Sequence, residues 1–415
     1  MGIIFAAAEL MQPKKFLFVH QNFPAQFVHV AGELHRRGHE IVALALKGNP
    51  IAGVRFIRYP PPVLERDSDV ELARDFEVKL ARATACASAM LNLKSEGFTP
   101  DVIVAHPGWG EALFCKDVWP RARLVIYAEF FYSADGADYG FDPEFSVESE
   151  ELRMRVRLKN TVHLHALAAA DSAYSPTRWQ HGQLPPEYRA KTAVAFDGID
   201  TEVVKPNPDA SATLMREQVR VKCGEEIITF VNRNLEPYRG FHIFMRALPQ
   251  ILDRRPNARC IIIGGDEVSY GSKPKGGATW REVMLKEVGR RLPMERVHFL
   301  GRVPYKHYVQ LLQLSACHVY LTYPFVLSWS CLEAMSAGKV VVASRTGPVE
   351  EVIEHGENGL LVDFFDSAGL ARQVNDVLGN PGKYQSIANR AREHVVARYD
   401  LRTVCLPAQV RLVEA

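Results

Sequence analysis

The chain has 415 residues, of which 47% are hydrophobic and 24% are charged, and its formal net charge is +2. This length is enough for two domains of ordinary size, and the composition is typical of a globular protein without a long disordered tail. The small net charge gives no support to nucleic acid binding. No apolar run approaches the roughly 18 residues that a membrane span requires.

The cysteines and the first residues bear on the cellular compartment. The seven cysteines are scattered and odd in number, and none forms a Cys-x-x-Cys pair. Reduced thiols in a cytoplasmic protein are the simplest interpretation. The opening GIIFAAAEL resembles a short apolar signal core, but it lacks a basic leader and carries Glu9. We interpret it as an alternative start or a short unstructured lead-in.

The first predicted elements form a strand, helix, strand unit. KKFLFVHQN, residues 14–22, is a short apolar strand that runs into a loop, and residues 25–37 have helical spacing that ends at Gly38. HEIVALAL is the next buried strand. A parallel pair of strands is therefore predicted at the start of the chain.

Candidate ligand-binding residues follow two later strands. His106 comes at the carboxyl end of the predicted strand DVIVA, where ligands gather in an open α/β sheet, although a structural histidine before a turn is the alternative. The strand RLVIY leads into a loop rich in aromatic and acidic residues, including Glu129, Tyr132 and Asp138. This mixture suits a carbohydrate pocket, and it also suits an ordinary surface loop.

A basic helix and a polar stretch close the first half. In RMRVRLKN the basic side chains alternate with apolar ones, so they could touch anionic lipid headgroups, or they could form a solvated helix face. A weak peripheral membrane contact is therefore one hypothesis. The Pro-containing stretch from Lys205 to about Lys222 is the predicted linker. We expect domains at residues 1–204 and 205–395, followed by a final amphipathic helix at 396–415.

The second domain begins with a strand, a loop and a helix in EEIITFVNRNLEPYRGFH. Arg233 ends the strand and Arg239 precedes the glycine at the helix start, so both guanidinium groups can face one anion across a turn. An incidental basic loop is the alternative. The later strand RCIIIGGDEVSYG lacks a G-x-G-x-x-G pattern, so it is poor evidence for a dinucleotide, and no cofactor is predicted.

The stretch YPFVLSWSCLEAMSAGKVVVAS predicts a Ser-rich loop, a helix from about Cys331 to Ala337 and a buried strand. The beginning of such a helix offers unpaired N–H groups and the positive end of the helix dipole, where a phosphate would bind. Glu333 lies in the first turn, where it would either complement the dipole or take part in a site.

These motifs resemble family 4 glycosyltransferases. In that family a Glu, seven residues and a second Glu lead into a Leu-Glu-Ala-Met helix, and LEAMSAGKVVVAS and EEVIEHGENGLLV follow the pattern. Glu333 matches the second Glu, whereas Phe325 stands at the position of the first. The family also holds its donor diphosphate with an Arg and, six positions on, a Lys or Arg before Gly, which Arg233 and Arg239 match.

The resemblance implies an α/β fold with two Rossmann-like domains facing across a cleft, the GT-B arrangement, in which the last helix returns to the first domain. It implies transfer of a sugar from a nucleoside-diphosphate donor to a hydroxyl of a saccharide, a glycolipid or another acceptor, with retention at the anomeric carbon. No Asp-x-Asp loop is placed to hold a divalent metal, so we expect metal independence. The alternatives are a nucleotide-sugar hydrolase or epimerase and a non-catalytic nucleotide-sugar-binding protein, which Phe325 favours.

The resemblance also assigns the site. His106 would lie beside the donor sugar, Glu333 would accept the ribose hydroxyls, and the residues expected to act in catalysis are His106, Arg233, Arg239 and Glu333. The residues expected to bind the donor are Arg233, Arg239, Val303, Phe325, Leu327, Ser328, Ser330 and Glu333. The residues expected on the acceptor side are Asn22, Phe23, Glu129, Tyr132 and Asp138.

Overall fold

The computed structural model describes residues 12–62, 70–146, 149–214 and 218–415. The opening segment that we interpret as a lead-in, residues 1–11, lies outside the described residues. The described chain forms two α/β domains, each built on its own parallel sheet.

The first domain carries a sheet of seven parallel strands in the order β5-β3-β1-β6-β7-β8-β9, while β2 and β4 form a separate short pair. Its strands are β1 (Lys15–Val19), β2 (Asn22–Phe23), β3 (Glu40–Ala45), β4 (Lys47–Gly48), β5 (Arg55–Arg58), β6 (Val102–Ala105), β7 (Arg123–Tyr127), β8 (Ser172–Ser175) and β9 (Thr192–Val194). Its helices are α1 (Val28–Arg36), α2 (Arg74–Ser95), α3 (Cys115–Val118), α4 (Glu150–Lys159), α5 (Thr161–Ala169), α6 (Arg178–Gly182) and α7 (Pro186–Arg189).

The second domain carries a sheet of six parallel strands in the order β14-β13-β12-β15-β16-β17 and an antiparallel hairpin of β10 and β11. Its strands are β10 (Ser211–Leu214), β11 (Val219–Lys222), β12 (Ile227–Asn234), β13 (Arg259–Gly265), β14 (Val297–Gly301), β15 (Cys317–Tyr320), β16 (Val340–Ser344) and β17 (Leu360–Val362). The helices that follow are α8 (Phe241–Arg254), α9 (Trp280–Val288), α10 (Tyr305–Leu314), α11 (Trp329–Ser336), α12 (Gly347–Glu350), α13 (Ser367–Gly379), α14 (Pro381–Tyr399) and α15 (Leu406–Glu414).

The strands are apolar because helices cover both faces of each sheet. In β1, Phe16 and Phe18 belong to the core on one face, while Leu17 and Val19 belong to the core on the other. Successive side chains of a strand point to opposite faces, so a strand buried on both sides reads as a continuous apolar run. This is why the sequence pattern predicts these strands correctly.

The predicted linker differs from expectation because it contains the β10–β11 hairpin. Leu214 and Val221 are buried and join a core cluster of the second domain. The hairpin buries only part of its surface, and its exposed side chains Thr213, Arg220 and Lys222 are polar, so the composition of the stretch resembles that of a loop. The residues from Ser211 onward thus contribute to the core of the second domain.

The last helix, α15, packs on the first domain. Its Val410 and Val413 lie in the same core cluster as Phe16. Glu414 lies 3.0 Å from Arg37 Nη1 and 3.0 Å from His39 Nε2. The chain therefore crosses between the domains a second time, which ties their orientation to the end of the sequence.

The strand order reverses once in each sheet, at β1 between β3 and β6 and at β12 between β13 and β15. Ligands of open α/β sheets bind outside the carboxyl ends of the strands at such reversals. His20 follows β1, and Arg233 lies near the end of β12. These two strand ends face one gap between the domains, since both residues line the same cavity.

Candidate active site

A cavity of about 720 Å³ lies between the domains, with one wall from each. Nine of the predicted site residues line it, namely Asn22, Glu129, Arg233, Arg239, Val303, Leu327, Ser328, Ser330 and Glu333. Five do not line it, namely Phe23, His106, Tyr132, Asp138 and Phe325. A pocket of this size, with charged groups from two domains, is of the kind that holds a small ligand.

Arg233 and Arg239 both face this cavity, but in different surroundings. Arg233 is exposed, whereas Arg239 is buried. Nη1 of Arg239 donates to Thr322 Oγ1 at 2.8 Å and to the carbonyl oxygen of Val326 at 2.9 Å, both of which are neutral. The guanidinium group therefore keeps its positive charge available to an anion in the cavity.

The beginning of α11 lies on the same wall. The Ser328 side chain caps the helix by accepting from the backbone N–H of Ser330, and both serines line the cavity. The backbone N–H of Ser328 donates to the Tyr320 hydroxyl at 2.8 Å, which fixes the loop before the helix. Two guanidinium groups and the amino end of a helix thus border one space, as an anion-binding site requires.

Glu333 is already hydrogen-bonded on both oxygens. The Tyr305 hydroxyl donates to Oε1 at 2.7 Å and the Tyr308 hydroxyl to Oε2 at 2.6 Å. Burial raises the pKa of Glu333, and the two tyrosine bonds oppose that rise. Each carboxylate oxygen retains a second lone pair, so the group can still accept from a ligand hydroxyl.

The two tyrosines are absent from the sequence predictions. They follow the GRVP turn and lie three residues apart on α10, so they share one helix face. Their spacing is visible in the sequence and predicts that the two side chains lie together. It does not predict that this face of α10 contacts Glu333.

Phe325 does not line the cavity. Its ring contacts those of Phe130 at 4.7 Å, Tyr270 at 4.9 Å and Tyr238 at 5.7 Å between centroids. Phe130 belongs to the first domain, so this cluster packs the two domains against each other. Phe325 is thus buried among aromatic rings outside the cavity lining, and the donor contact predicted for it stays a prediction.

His106 is also set back from the cavity. Its ring stacks on Trp109 at 4.4 Å, and Nε2 lies 3.3 Å from Glu129 Oε2. Glu129 keeps 30% of its side chain exposed and lines the cavity, as does His20. The group that faces the ligand space at this position is therefore the carboxylate of Glu129, with His106 behind it.

The three remaining residues predicted on the acceptor side lie outside the cavity lining. Phe23 is buried in the first-domain core. The Tyr132 ring lies 3.9 Å from Lys159 Nζ. Asp138 accepts from the Tyr238 hydroxyl at 2.9 Å, across the domain boundary. Burial raises the pKa of Asp138 to about 6, against the opposing effect of that bond.

Asp197 is a cavity residue that the sequence predictions missed, although the motif AVAFDGID contains it. It accepts from the Tyr127 hydroxyl at 2.9 Å and from Trp329 Nε1 at 2.8 Å, which joins the first domain to α11. Burial raises the pKa of Asp197 to about 7, while the bonds from Trp329 and Tyr127 oppose the rise. The first-domain wall of the cavity thus carries, besides Glu129, a carboxyl group whose pKa is raised.

One group of possible metal ligands occurs among the described residues, formed by Asp142, Glu144 and His242. It lies outside the cavity lining, at the contact between the domains. Arg246 donates to both oxygens of Glu144 at 2.7 Å, and the Tyr323 hydroxyl donates to Asp142 at 2.7 Å. These contacts make the group an ion-paired interface between the domains.

The basic face of α4 is partly paired with carboxylates. Nη1 of Arg153 donates to Asp135 at 2.9 Å, and Nη2 of Arg155 lies 2.7 Å from both Glu71 and Glu151. Among the described residues, no helix has both the length and the apolar character that crossing a bilayer demands. Peripheral membrane contact stays a prediction.

The arrangement of two Rossmann-like domains around a cleft defines the GT-B class of fold, and comparison with solved structures confirms it. Sucrose-phosphate synthase from Thermosynechococcus elongatus superposes with a TM-score of 0.73 at 18% identity, over 95% of this chain and 97% of that one. HepE from Anabaena, in complex with UDP and glucose, superposes with a TM-score of 0.65 at 20% identity, over 97% and 100%.

Residues 37–204 match the family described as the glycosyl transferase family 4 group, and residues 212–394 match the glycosyl transferases group 1. The chain belongs to the family 4 glycosyltransferases. A D-inositol 3-phosphate glycosyltransferase from Corynebacterium urealyticum is 27% identical over 215 residues, which is 51% of this chain and 48% of the relative. The chain spans about half the length of the curated relatives it matches.

Proposed function

We propose that this protein transfers a sugar from a nucleoside-diphosphate donor to a hydroxyl acceptor, with retention at the anomeric carbon and without a divalent cation. The observation that carries the proposal is that Arg233, Arg239 and the beginning of α11 line one interdomain cavity. Membership of a glycosyltransferase family supports it.

The second-domain wall would bind the donor diphosphate. Breaking the bond between sugar and phosphate places additional negative charge on the leaving group, so fixed positive groups there lower the barrier. Two guanidinium groups and the helix dipole supply this charge from the protein itself. This is the physical argument for metal independence.

The same wall would bind the nucleoside beyond the diphosphate. Glu333, oriented by Tyr305 and Tyr308, would accept the ribose hydroxyls. Val303 lines the cavity, and Arg302 is held by a 2.9 Å bond from its Nη2 to Asn234 Oδ1, so this turn would border the base. Because HepE is described in complexes with UDP and with UDP-glucose, uridine is the base to test first.

The first-domain wall would bind the sugar and the acceptor. Asn22 and Glu129 line the cavity there and offer polar groups to hydroxyls. The acceptor would be a saccharide, a glycolipid or another polyol. With retention, it approaches from the face that the diphosphate leaves, so an oxygen of the departing phosphate can take its proton.

A calorimetric screen would test this function. The chain would be titrated with UDP, GDP, ADP and their common sugar conjugates, with and without a chelator, and products would be analysed by NMR for anomeric configuration. We expect binding of one nucleotide series that the chelator does not alter, and a product with the donor's configuration.

Each contrary outcome addresses a separate part of the proposal. Loss of binding with the chelator would contradict metal independence, and an inverted product would contradict retention. Turnover without acceptor would favour a hydrolase or epimerase. Binding of donor that stays intact with every acceptor would favour a non-catalytic binding protein.

A further inference from the structure

Glu129 is held by a chain of hydrogen bonds that begins in the backbone. The N–H of Asn22 donates to Nδ1 of His20 at 2.8 Å, so the proton of this ring lies on Nε2. His20 Nε2 lies 3.1 Å from Gln26 Oε1, which fixes the amide orientation, and Gln26 Nε2 donates to Glu129 Oε1 at 2.7 Å. Each group thus orients the next one.

The second oxygen of Glu129 is fixed in the same way from the other side. The N–H of Gly108 donates to Nδ1 of His106 at 3.1 Å, which leaves the proton on Nε2 facing Glu129 Oε2 at 3.3 Å. Both carboxylate oxygens therefore accept a hydrogen bond from an oriented donor. Such bonds favour the ionised carboxylate and prevent its rotation.

Burial alone would raise the pKa of Glu129. The hydrogen bonds from His106 and Gln26, together with the charge of Arg239 across the cleft, hold this pKa below its ordinary value instead. Glu129 and Arg239 line the same cavity, one from each domain. Glu129 is therefore a fixed negative charge on the wall across from the proposed diphosphate-binding residues.

A fixed carboxylate at this position disfavours binding of a negatively charged diphosphate. A contribution to donor affinity therefore does not explain why Glu129 is held ionised here. The anomeric carbon of a nucleotide sugar is bonded to the terminal phosphate, so a diphosphate held on the second-domain wall would place this carbon between the two walls of the cavity. Positive charge develops on that carbon as its bond to the phosphate oxygen breaks. A preorganised negative charge lowers the energy of that state more than the energy of the ground state.

We propose that Glu129 is the catalytic carboxylate that stabilises positive charge on the anomeric carbon of the donor sugar, and that Gln26 and His106 are its positioning residues. The inference rests on the proposed function. The bond between carbon and phosphate oxygen breaks with its electron pair on the diphosphate. The acceptor oxygen forms the new bond to carbon and its proton passes to a phosphate oxygen, so Glu129 ends ionised as it began.

The test is the variant Glu129→Gln, which keeps the size of the side chain and removes its charge. We expect kcat to fall by about 10²–10³-fold, the range for removing one preorganised electrostatic group. We expect the dissociation constant for the intact donor to stay unchanged or decrease, because a repulsion with the diphosphate is removed. Glu187→Gln, the same substitution at an exposed position on α7, is the matched control.

The variant Gln26→Ala gives a second readout that a purely structural role would not produce. Removing this donor raises the pKa of Glu129, so the acidic limb of the kcat profile should move to higher pH. The titratable and charged groups that face Glu129 are His106, His20 through Gln26, Tyr127, Tyr132, Arg239 and Asp197. Of these groups, Gln26→Ala removes only the hydrogen-bonded connection from His20 through Gln26 to Glu129.

An unchanged kcat in Glu129→Gln would overturn the inference and leave the proposed function in place. A donor affinity that falls in proportion to kcat would overturn it as well, because Glu129 would then act in binding. An acidic limb unmoved in Gln26→Ala would remove the positioning role. A native chain that neither binds nor turns over any nucleotide sugar would overturn the proposed function, and this inference with it.

Discussion

The two walls of the cleft are built in different ways. On the second-domain wall, Arg233 and Arg239 come from one turn, and Ser328, Ser330 and Glu333 come from one loop and the helix after it. On the first-domain wall, His20, Trp109, Glu129 and Asp197 follow four different strands and meet only in the folded chain. The second-domain wall is thus built from two short segments of the chain, whereas the first-domain wall is assembled from four segments that are far apart in sequence.

The difference has a physical basis. Backbone N–H groups at a helix start and two closely spaced arginines are groups that can face one anion, so short motifs in the sequence indicate such a wall. An oriented carboxylate needs a donor for each oxygen, and in this chain those donors come from segments far from Glu129 in sequence. Glu129 depends on Gln26 and His106, which lie 103 and 23 residues away in sequence.

The largest effect that would sharpen this contrast is expected from Arg239→Ala. It should weaken diphosphate binding by about 1.5–3 kcal/mol, the range for hydrogen bonds to charged groups. It should also lower stability, because Thr322 and the Val326 carbonyl lose a buried donor.

Arg233→Ala, at an exposed position, should weaken binding less and leave the melting temperature unchanged. Calorimetry with the nucleoside diphosphate and thermal unfolding check both variants, and equal affinities for Arg239→Ala and the native chain would remove Arg239 from the site.

A smaller effect, on the free energy of unfolding, is expected from substitution of the two tyrosines that orient Glu333. Tyr308 is buried and Tyr305 is 53% exposed, so only the first substitution leaves a carboxylate oxygen without a buried donor. Tyr308→Phe should lower the free energy of unfolding by about 1.5–3 kcal/mol, and Tyr305→Phe should lower it by less than about 1 kcal/mol. Urea unfolding measures both, and equal losses would contradict the assignment of unequal roles.

A separate, pH-dependent effect concerns the cross-cleft residue Asp197. Its pKa is raised from 3.8 to about 7 in the folded chain, so between these values the folded state binds more protons than the unfolded state. This group therefore contributes stability that is present at low pH and is lost as the pH rises toward 7. In Asp197→Asn that loss should disappear, so the variant should gain stability relative to the native chain between pH 5 and pH 8. Parallel curves of melting temperature against pH for the two proteins would show that Asp197 is ionised throughout.

The positions of the main strands and helices, the parallel arrangement and the two-domain cleft were predictable from the sequence. Buried strands such as β6 and β16 are continuous apolar runs, and the turns after them carry the glycine and serine signals. The spacing of Arg233 and Arg239 and the serines before α11 were visible for the same reason, and their role in binding an anion stays a prediction. The β10–β11 hairpin was not, because a partly buried polar hairpin resembles a loop.

The sequence by itself determined the family and the fold, because these depend on neighbouring residues whose spacing is visible along the chain. Only the tertiary structure decided that Glu129 faces the cavity with His106 behind it, that Phe325 packs the domains together, and that Asp197 bridges them to Trp329. Those outcomes depend on which strands become neighbours and on which side chains compete for the same space. Both are properties of the packed chain, and no local pattern encodes them.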